Sequence, residues 1–388
     1  MTVDELKFRE DFFLGIDKKR QFNATISAMY NQQLTDLDYC SQRSDMDVLE
    51  RKADNIARCM LDWKIDVYDK SRAKIIGDVY RCKDKFCYNC QSLLALQRFY
   101  TYRPILDRYA KDHELFHVVL TQPNVQGRYL KRTVELMFDR FHYLIGYFNG
   151  HKKVRGIDFE KYGYVGAVRS LEVTQNRKTK LYHPHFHCMF ILRKNLSKTD
   201  DFVPWLYNSF SPDYSGKGKG DRLFTTFEFL LQRLWCLLIT RKKVTIENIK
   251  NIDELLPRYP DGFSVVVNPA NGQYHEIFKY ATKGAFKDGT MDDYEAFNTL
   301  ESVLYNRRIY QTYGCLHGYD FNEVDDTLGL NDTTDTTFNQ FLLSLREKEV
   351  PRTETENIGD VINNVRAGDR YYSKTVFRKR IEEYISND

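Results

Sequence analysis

Three imidazoles stand at alternate positions in His183-Pro184-His185-Phe186-His187, followed directly by Cys188-Met189-Phe190-Ile191-Leu192. The segment reads as a strand, and side chains alternate between the faces of a strand, so His183, His185 and His187 share one face. A face holding three of the chain's nine histidines is poorly suited to an apolar core. It suits a divalent metal, because neutral imidazole is the commonest protein metal ligand. Packed or surface histidines are the alternative, and the clustering counts against it. Residues 164–174 read as a second strand, joined to the histidine strand by a short turn at 175–180, which makes a β-hairpin. Glu172 lies on this strand, within reach of His185 and His187. Two imidazoles and one carboxylate leave positions on a metal open for phosphate oxygens. A cross-strand Arg or Lys partner is the plainer role for Glu172.

A second group is Glu276-Ile277-Phe278-Lys279-Tyr280-Ala281-Thr282-Lys283. On a helix, Glu276, Tyr280 and Lys283 fall at i, i+4 and i+7 on one face, with Lys279 at its edge. A phenol titrates near pH ~10, so a tyrosine nucleophile needs a neighbouring cation or a polarised target. The lysines supply cations that stabilise a phenolate or a pentacovalent phosphate. The plain alternative is a Glu–Lys helix face around one of the chain's 27 tyrosines.

A third group is Cys82-x4-Cys87-x2-Cys90, whose last pair has a common zinc-ligand spacing. Cys59, upstream across a strand pair, is the candidate fourth ligand, and Cys40 is a weaker one. The competing reading is scattered free thiols. Cys188, Cys236 and Cys315 sit among apolar residues and read as core.

These groups need elements to position them. Residues 1–50 read as a polar arm, helical around 23–37. Residues 51–112 form the cysteine module, with a helix at about 90–109. Residues 113–320 hold a buried strand at 117–121 stopped by Pro123-Asn124, a helix at 131–148, the hairpin, an apolar helix at 224–239 and a strand at 264–267. A helix from about 273 carries the tyrosine group, and another covers 291–308. Residues 209–221, with Gly216-Lys217-Gly218-Lys219-Gly220, read as a solvated loop, lacking the Gly-Lys-Ser/Thr ending of a phosphate-binding loop. Residues 321–388 read as an acidic, Thr-rich linker and a charged tail with short helices at 338–349 and 375–385. Antiparallel strands with helices on one face give an α+β fold.

The chain has 388 residues, is 42% hydrophobic and 29% charged, and carries a net charge of +4. That is a globular composition, and the charge alone does not establish nucleic-acid binding. Basic and aromatic residues interleave at 72–98 and 279–308, a mixture suited to single-stranded nucleic acid; an aromatic core under solvated charges accounts for it equally. No run reaches the roughly 18 apolar residues of a membrane helix. Residues 1–20 lack an apolar signal core, so a cytoplasmic protein is expected, and its eight cysteines are not expected to form disulfides.

In order along the chain stand Val119-Leu120-Thr121-Gln122-Pro123-Asn124, His183-Pro184-His185-Phe186-His187 and Lys279-Tyr280-x-x-Lys283. The sequence thereby resembles the HUH endonucleases, and within them the rolling-circle replication initiators of small Gram-positive-type plasmids. Glu276, four residues before Tyr280, resembles one branch of these initiators, as do the cysteine segment and Arg307-Arg308-Ile309-Tyr310…Gly314. The resemblance covers about residues 55–316. The loop near 200–222 and the tail depart from it.

The resemblance implies that His185 and His187, with Glu172 and with His183 as a further candidate, hold Mg²⁺ or Mn²⁺ against a scissile phosphate. Tyr280 would attack one strand at a plasmid origin, presented single-stranded or as a cruciform, leaving a 5′-phosphotyrosine and a free 3′-hydroxyl. A host polymerase and helicase would act next. Glu276 would activate water for the closing step, and Lys279 and Lys283 would support Tyr280. Thr121 and Asn124 would support the metal strand or contact DNA. Cys59, Cys82, Cys87 and Cys90 are read from their spacing as holding structural Zn²⁺, and by position rather than by motif their module and the basic helix after it are the candidate origin-binding elements. A relaxase or transposase of the same superfamily, a non-catalytic zinc-ribbon regulator and a metallohydrolase using His183, His185 and His187 are the competing readings. The last leaves the Glu276–Lys283 face unexplained.

Overall fold

The computed structural model describes residues 22–36, 46–59, 64–68, 72–76, 81–203, 205–206, 223–252, 265–272, 274–278, 290–319 and 356–357. The described residues fall into two compact units, one within 1–100, 288–294 and 324–388, the other within 101–287 and 295–323.

In the first unit, helix α1 (22–35) and helix α2 (Met46–Arg58) meet through one face each. Leu49, Ala53 and Ile56 of α2 are buried at helical spacing, opposite buried Ile26, Met29 and Tyr30. Ser27 Oγ donates to the Ala53 carbonyl at 2.8 Å, satisfying a hydroxyl that burial would otherwise penalise. Strands β1 (Lys64–Tyr68) and β2 (Arg72–Ile76) pair antiparallel. Glu356–Asn357 adds to the other edge of β1. Helix α3 (Tyr88–Ala110) begins in this unit and ends in the second.

The second unit is built on strands β3 (His113–Thr121), β4 (Gly166–Gln175), β5 (Tyr182–Arg193), β6 (Val265–Pro269) and β7 (Tyr310–Gly314). Their order is β6-β3-β5-β4-β7, and every pairing is antiparallel. Helix α4 (Gly127–Phe148) connects β3 to the hairpin; α5 (Thr226–Ile239), α6 (Ile246–Lys250) and α7 (Tyr294–Leu304) follow. The α+β class with an antiparallel central sheet is therefore as expected.

The alternation of each strand sorts the sheet into two unlike faces. Phe116, Val118, Leu120, Phe186, Cys188 and Phe190 point one way and are fully buried. They meet Phe141 of α4, 5.6 Å from Phe186, and Trp235 of α5, 6.1 Å from Phe186. Trp235 Nε1 donates to the Thr121 carbonyl at 2.7 Å, tying α5 to the end of β3. Helix α5 starts with a capping box: Thr225 Oγ1 accepts from the Glu228 amide, and Glu228 answers the Thr225 amide. The second Glu228 oxygen accepts from the Val267 amide at 2.8 Å, so one buried carboxylate caps a helix and satisfies an edge strand.

The other face carries the polar residues. His117 and Thr121 of β3, His185 and His187 of β5, and Ser170 and Glu172 of β4 share it, since direct cross-strand partners lie on one face.

Several elements differ from the sequence expectation. The helix expected over 291–308 is a 3-10 turn at Met291–Asp293 followed by α7, which ends at Leu304. Tyr310–Gly314 is then an edge strand. Gly314 has φ +61, and a Cβ there would lie 2.3 Å from the Val165 carbonyl, so the close approach of β7 to β4 requires glycine. Of the helix expected from about 273, the described part is a 3-10 segment, His275–Phe278. Cys188 and Cys236 are buried, whereas Cys315 is partly exposed, since it lies in the turn that ends β7. The loop at 209–221 and the helices at 338–349 and 375–385 lie outside the described residues, and so does the linker at 321–337.

Candidate functional site

The hairpin register sets Glu172 opposite His185, Ser170 opposite His187 and Thr174 opposite His183. Glu172 Oε2 lies 2.8 Å from His187 Nε2 and 3.4 Å from His185 Nε2. One ligand atom from each of the three residues falls within 4.8 Å of the others. Burial opposes ionisation of Glu172. Hydrogen bonds and charge from His185 and His187 together outweigh it and hold the carboxyl well below the usual carboxylate range. Two imidazole nitrogens and a carboxylate oxygen converging on one point fit a first-row divalent cation, and three donors leave coordination positions for substrate.

The tautomers agree with such a site. His185 Nδ1 is 3.1 Å from the His183 carbonyl, an acceptor only, so Nδ1 carries a proton, and the Nε2 proton that bonds Glu172 is the one a cation would displace. His187 Nδ1 is 3.1 Å from His117 Nε2, and the two rings are parallel, 5.3 Å apart with 3° between planes. A proton on His187 Nδ1 donated to His117 likewise releases His187 Nε2 for a cation. Sequence reading passed over His117. Its signal was parity: it shares a strand face with Thr121, but only the β3–β5 pairing brings it beside His187.

His183 lies on the same face but outside the triad. Its ring stacks on His185 at 5.0 Å, and burial pushes its pKa down. Thr121 is buried opposite His185, and Asn124 is exposed in the segment after β3. Tyr280, Lys279 and Lys283 lie outside the described residues, as does the Glu276 side chain. The segment leading to Tyr280 is described. Ile277 and Phe278 are buried, and the Phe278 ring stands 6.4 Å from Tyr310 and 6.4 Å from Tyr102 of α3. Tyr310 pairs with Ser170, so Phe278 packs on the histidine face of the sheet.

The first unit holds a second cluster. The sulfur atoms of Cys59, Cys82, Cys87 and Cys90 lie within 4.8 Å of one another. Cys59–Cys90 is 3.4 Å, Cys59–Cys87 3.5 Å and Cys82–Cys90 3.8 Å. Ligands about 2.3 Å from a tetrahedral zinc stand about 3.8 Å apart, so the cluster has nearly the size of a zinc site. Backbone amides of Lys83 and Cys90 point at Cys90 and Cys87 sulfur at 3.4 and 3.5 Å, and Asn23 Nδ2 at Cys87 sulfur at 3.2 Å. Hydrogen bonds from the other thiols hold Cys90 far down and push Cys82 far up: four packed thiols favour one thiolate and resist further ionisation without a cation. Cys40 lies outside the described residues.

Comparison with known proteins adds partial similarities. Residues 74–203 match the family model described as Replication protein. "Protein rep" of Bacillus amyloliquefaciens is 29% identical over 149 residues, 37% of this chain and 40% of the relative. "Protein rep" of a Bacillus species is 30% identical over 149 residues, 37% of this chain and 45% of the relative. "Protein rep" of Streptococcus pneumoniae serotype 2 is 29% identical over 119 residues, 30% of this chain and 34% of the relative. The chain thus spans less than half the length of these curated relatives. No solved structure matches it significantly. The matched segment contains Thr121, Asn124, Glu172, His185 and His187 together with Cys82, Cys87 and Cys90.

Proposed function

We propose that this chain, whose residues 74–203 carry the replication-protein match, is a plasmid rolling-circle replication initiator that nicks and rejoins one DNA strand at the origin. The observation that carries the reading is the convergence of Glu172, His185 and His187 inside that matched segment. A bound Mg²⁺ or Mn²⁺ would polarise the scissile phosphate, and the two imidazoles favour Mn²⁺ in affinity. Tyr280 Oη attacks phosphorus; the P–O3′ bond breaks, the tyrosine holds the 5′-phosphate, and the departing 3′-oxygen takes a proton. Lys279 and Lys283 stabilise the phenolate and the developing phosphate charge. In the closing step Glu276 takes a proton from the water that attacks phosphorus at a second cleavage, and the P–O3′ bond breaks there. The 3′-hydroxyl so freed attacks the phosphotyrosine, rejoining the strand and releasing Tyr280. Support for Tyr280 comes from its position two residues beyond Phe278, which packs on the histidine face. Thr121 stiffens the metal strand, and Asn124 contacts DNA.

In this reading, residues 51–112 form a zinc-stabilised origin-binding module and residues 113–320 the nicking and joining domain. The arm expected over 1–50 instead packs into this module through α1 and the start of α2, and residues 321–388 are a linker and tail from which Glu356–Asn357 pairs with β1. Host helicase and polymerase act on the exposed 3′-end in the cytoplasm. Among the described residues, no helix is long and apolar enough to cross a membrane.

The test is a nicking assay on supercoiled plasmid bearing the cognate origin, with Mn²⁺, comparing wild type and Tyr280→Phe. A protein-linked nicked product that disappears in the variant is expected. Nicking that survives in the variant removes Tyr280 as nucleophile. Origin binding without nicking by either protein favours a non-catalytic regulator.

A further inference from the structure

At the end of the sheet where β5 begins, two elements project cations. Helix α4 starts there, because Val125 exchanges both backbone hydrogen bonds with Tyr182 (2.9 and 2.8 Å) and Gly127 abuts the Tyr182 ring. The first two turns of α4 carry exposed Arg128, Tyr129, Lys131 and Arg132. The hairpin tip beside Tyr182 carries exposed Arg177, Lys178 and Lys180. This is the end bearing His183, His185 and Glu172, which lie within the first four residues of β5 or opposite them. They sit on the face of the sheet turned away from α4, whose Gly127 and Phe141 meet Tyr182 and Phe186 on the other face, so a DNA strand held by α4 reaches them around the end of the sheet.

Both placements run against local stability. The first turn of α4 has no acidic residue and Gln126 makes no side-chain cap. The helix dipole there favours anions, so three cations on the first two turns weaken the helix. Lys180 has φ +55, a conformation that glycine or asparagine adopts more easily. The tip is nevertheless ordered: Asn176 Oδ1 accepts from the amides of Lys178 and Thr179 at 3.0 and 3.2 Å, and the Asn176 amide donates to the Leu181 carbonyl at 2.8 Å. Breaches of local preference that cluster beside a chemical site mark function. Tyr129 is 52% exposed with the Arg128 guanidinium 4.9 Å from its ring centre, a cation and a ring face offered together. An acid, Glu295, borders the group, and its charge reaches Tyr182.

We propose that Arg128, Tyr129, Lys131, Arg132, Lys178 and Lys180 form a rim that holds single-stranded DNA running into the metal site. The cations pair with its phosphates and Tyr129 stacks on a base. The assignment rests on the reading of the chain as a DNA-nicking protein.

The test measures binding of a fluorescent oligo(dT) of about 16 nucleotides to the full chain across a salt series, without added metal. One variant carries Lys131→Gln, Arg132→Gln and Lys178→Gln. A charge-matched control carries Lys153→Gln, Arg155→Gln and Lys198→Gln, exposed cations elsewhere on the unit. The rim variant is expected to bind roughly tenfold more weakly, and its slope of log K against log salt to flatten by about 2, from about 0.7 for each phosphate no longer neutralised. The control is expected to keep the wild-type slope. Tyr129→Ala is expected to weaken binding and Tyr129→Phe to retain it. Equal losses in both charge variants, an unchanged rim variant, or tighter binding of blunt duplex than of oligo(dT) would overturn the proposal. A wild-type protein that binds oligo(dT) through the rim yet never nicks an origin would sink the nicking reading alone.

Discussion

His117 makes the clearest prediction at the scale of single residues. Its Nε2 meets His187 Nδ1 at 3.1 Å, and with His117 as acceptor the His187 proton sits on Nδ1 and leaves His187 Nε2 for a cation. Outer partners of metal-binding histidines are commonly worth about 10- to 100-fold in affinity. His117→Leu should therefore weaken Mn²⁺ binding by roughly tenfold, read by calorimetry, while His117→Gln, which keeps an acceptor, should restore most of it. Equal affinities in wild type and His117→Leu would reduce His117 to packing. Glu172→Gln should abolish measurable Mn²⁺ binding, since it removes the anion from the donor set. Glu172 also sets an acid limit. Its folded pKa lies below its ordinary 4.5, so its contribution to stability is whole above about pH 4.5 and drains away as pH falls through the lower folded value. Wild-type thermal stability should fall over that interval more steeply than that of Glu172→Gln. Parallel curves would refute the linkage.

Elements explain what could be read in advance and what could not. The hairpin was legible because two apolar runs flank a polar turn, and the period of two put His185 and His187 on one side. Glu172 was within reach, but its register needed the pairing of β4 with β5, which a sequence pattern does not fix. The cysteine group was legible from spacing, and Cys59 from its position before a strand pair. His117 and β7 were not. His117 depends on a long-range strand pairing, and Tyr310–Gly314 is a short edge strand whose helix-like approach masks the turn at 305–309. Glu228 was hidden for another reason: only its capping role is local, while its bond to Val267 crosses 39 residues. That double duty gives an ordering. Thr225→Ala removes one cap and should cost about 1 kcal/mol. Glu228→Ala removes the reciprocal cap and strands the Val267 amide, and should cost about 2–3 kcal/mol more by urea unfolding. A smaller loss for Glu228→Ala than for Thr225→Ala would show that β6 draws little from the carboxylate.

Across the whole molecule, the two clusters divide the work between units with different sources of stability. The sheet unit has an aromatic core of Phe116, Phe141, Phe186, Phe190 and Trp235, all fully buried, a source of stability independent of any metal. The first unit buries Cys59, Cys87 and Cys90 where apolar residues would otherwise stand, and its thiols crowd one another unless a cation joins them. Metal binding there would be folding free energy, because the unfolded chain offers no preformed site. Cys90→Ser is the decisive change, since Cys90 touches Cys59 and Cys82 and accepts from the Lys83 amide. Wild-type protein should carry about one tightly held zinc per chain, and Cys90→Ser should carry none. Proteolysis of the variant should open cleavage within 22–100 while fragments spanning β3 to α5 persist, and Mn²⁺ affinity at Glu172, His185 and His187 should stay unchanged. Loss of that Mn²⁺ site together with the zinc would mean that the sheet depends on the cysteine cluster for its fold, which the aromatic core of the sheet argues against.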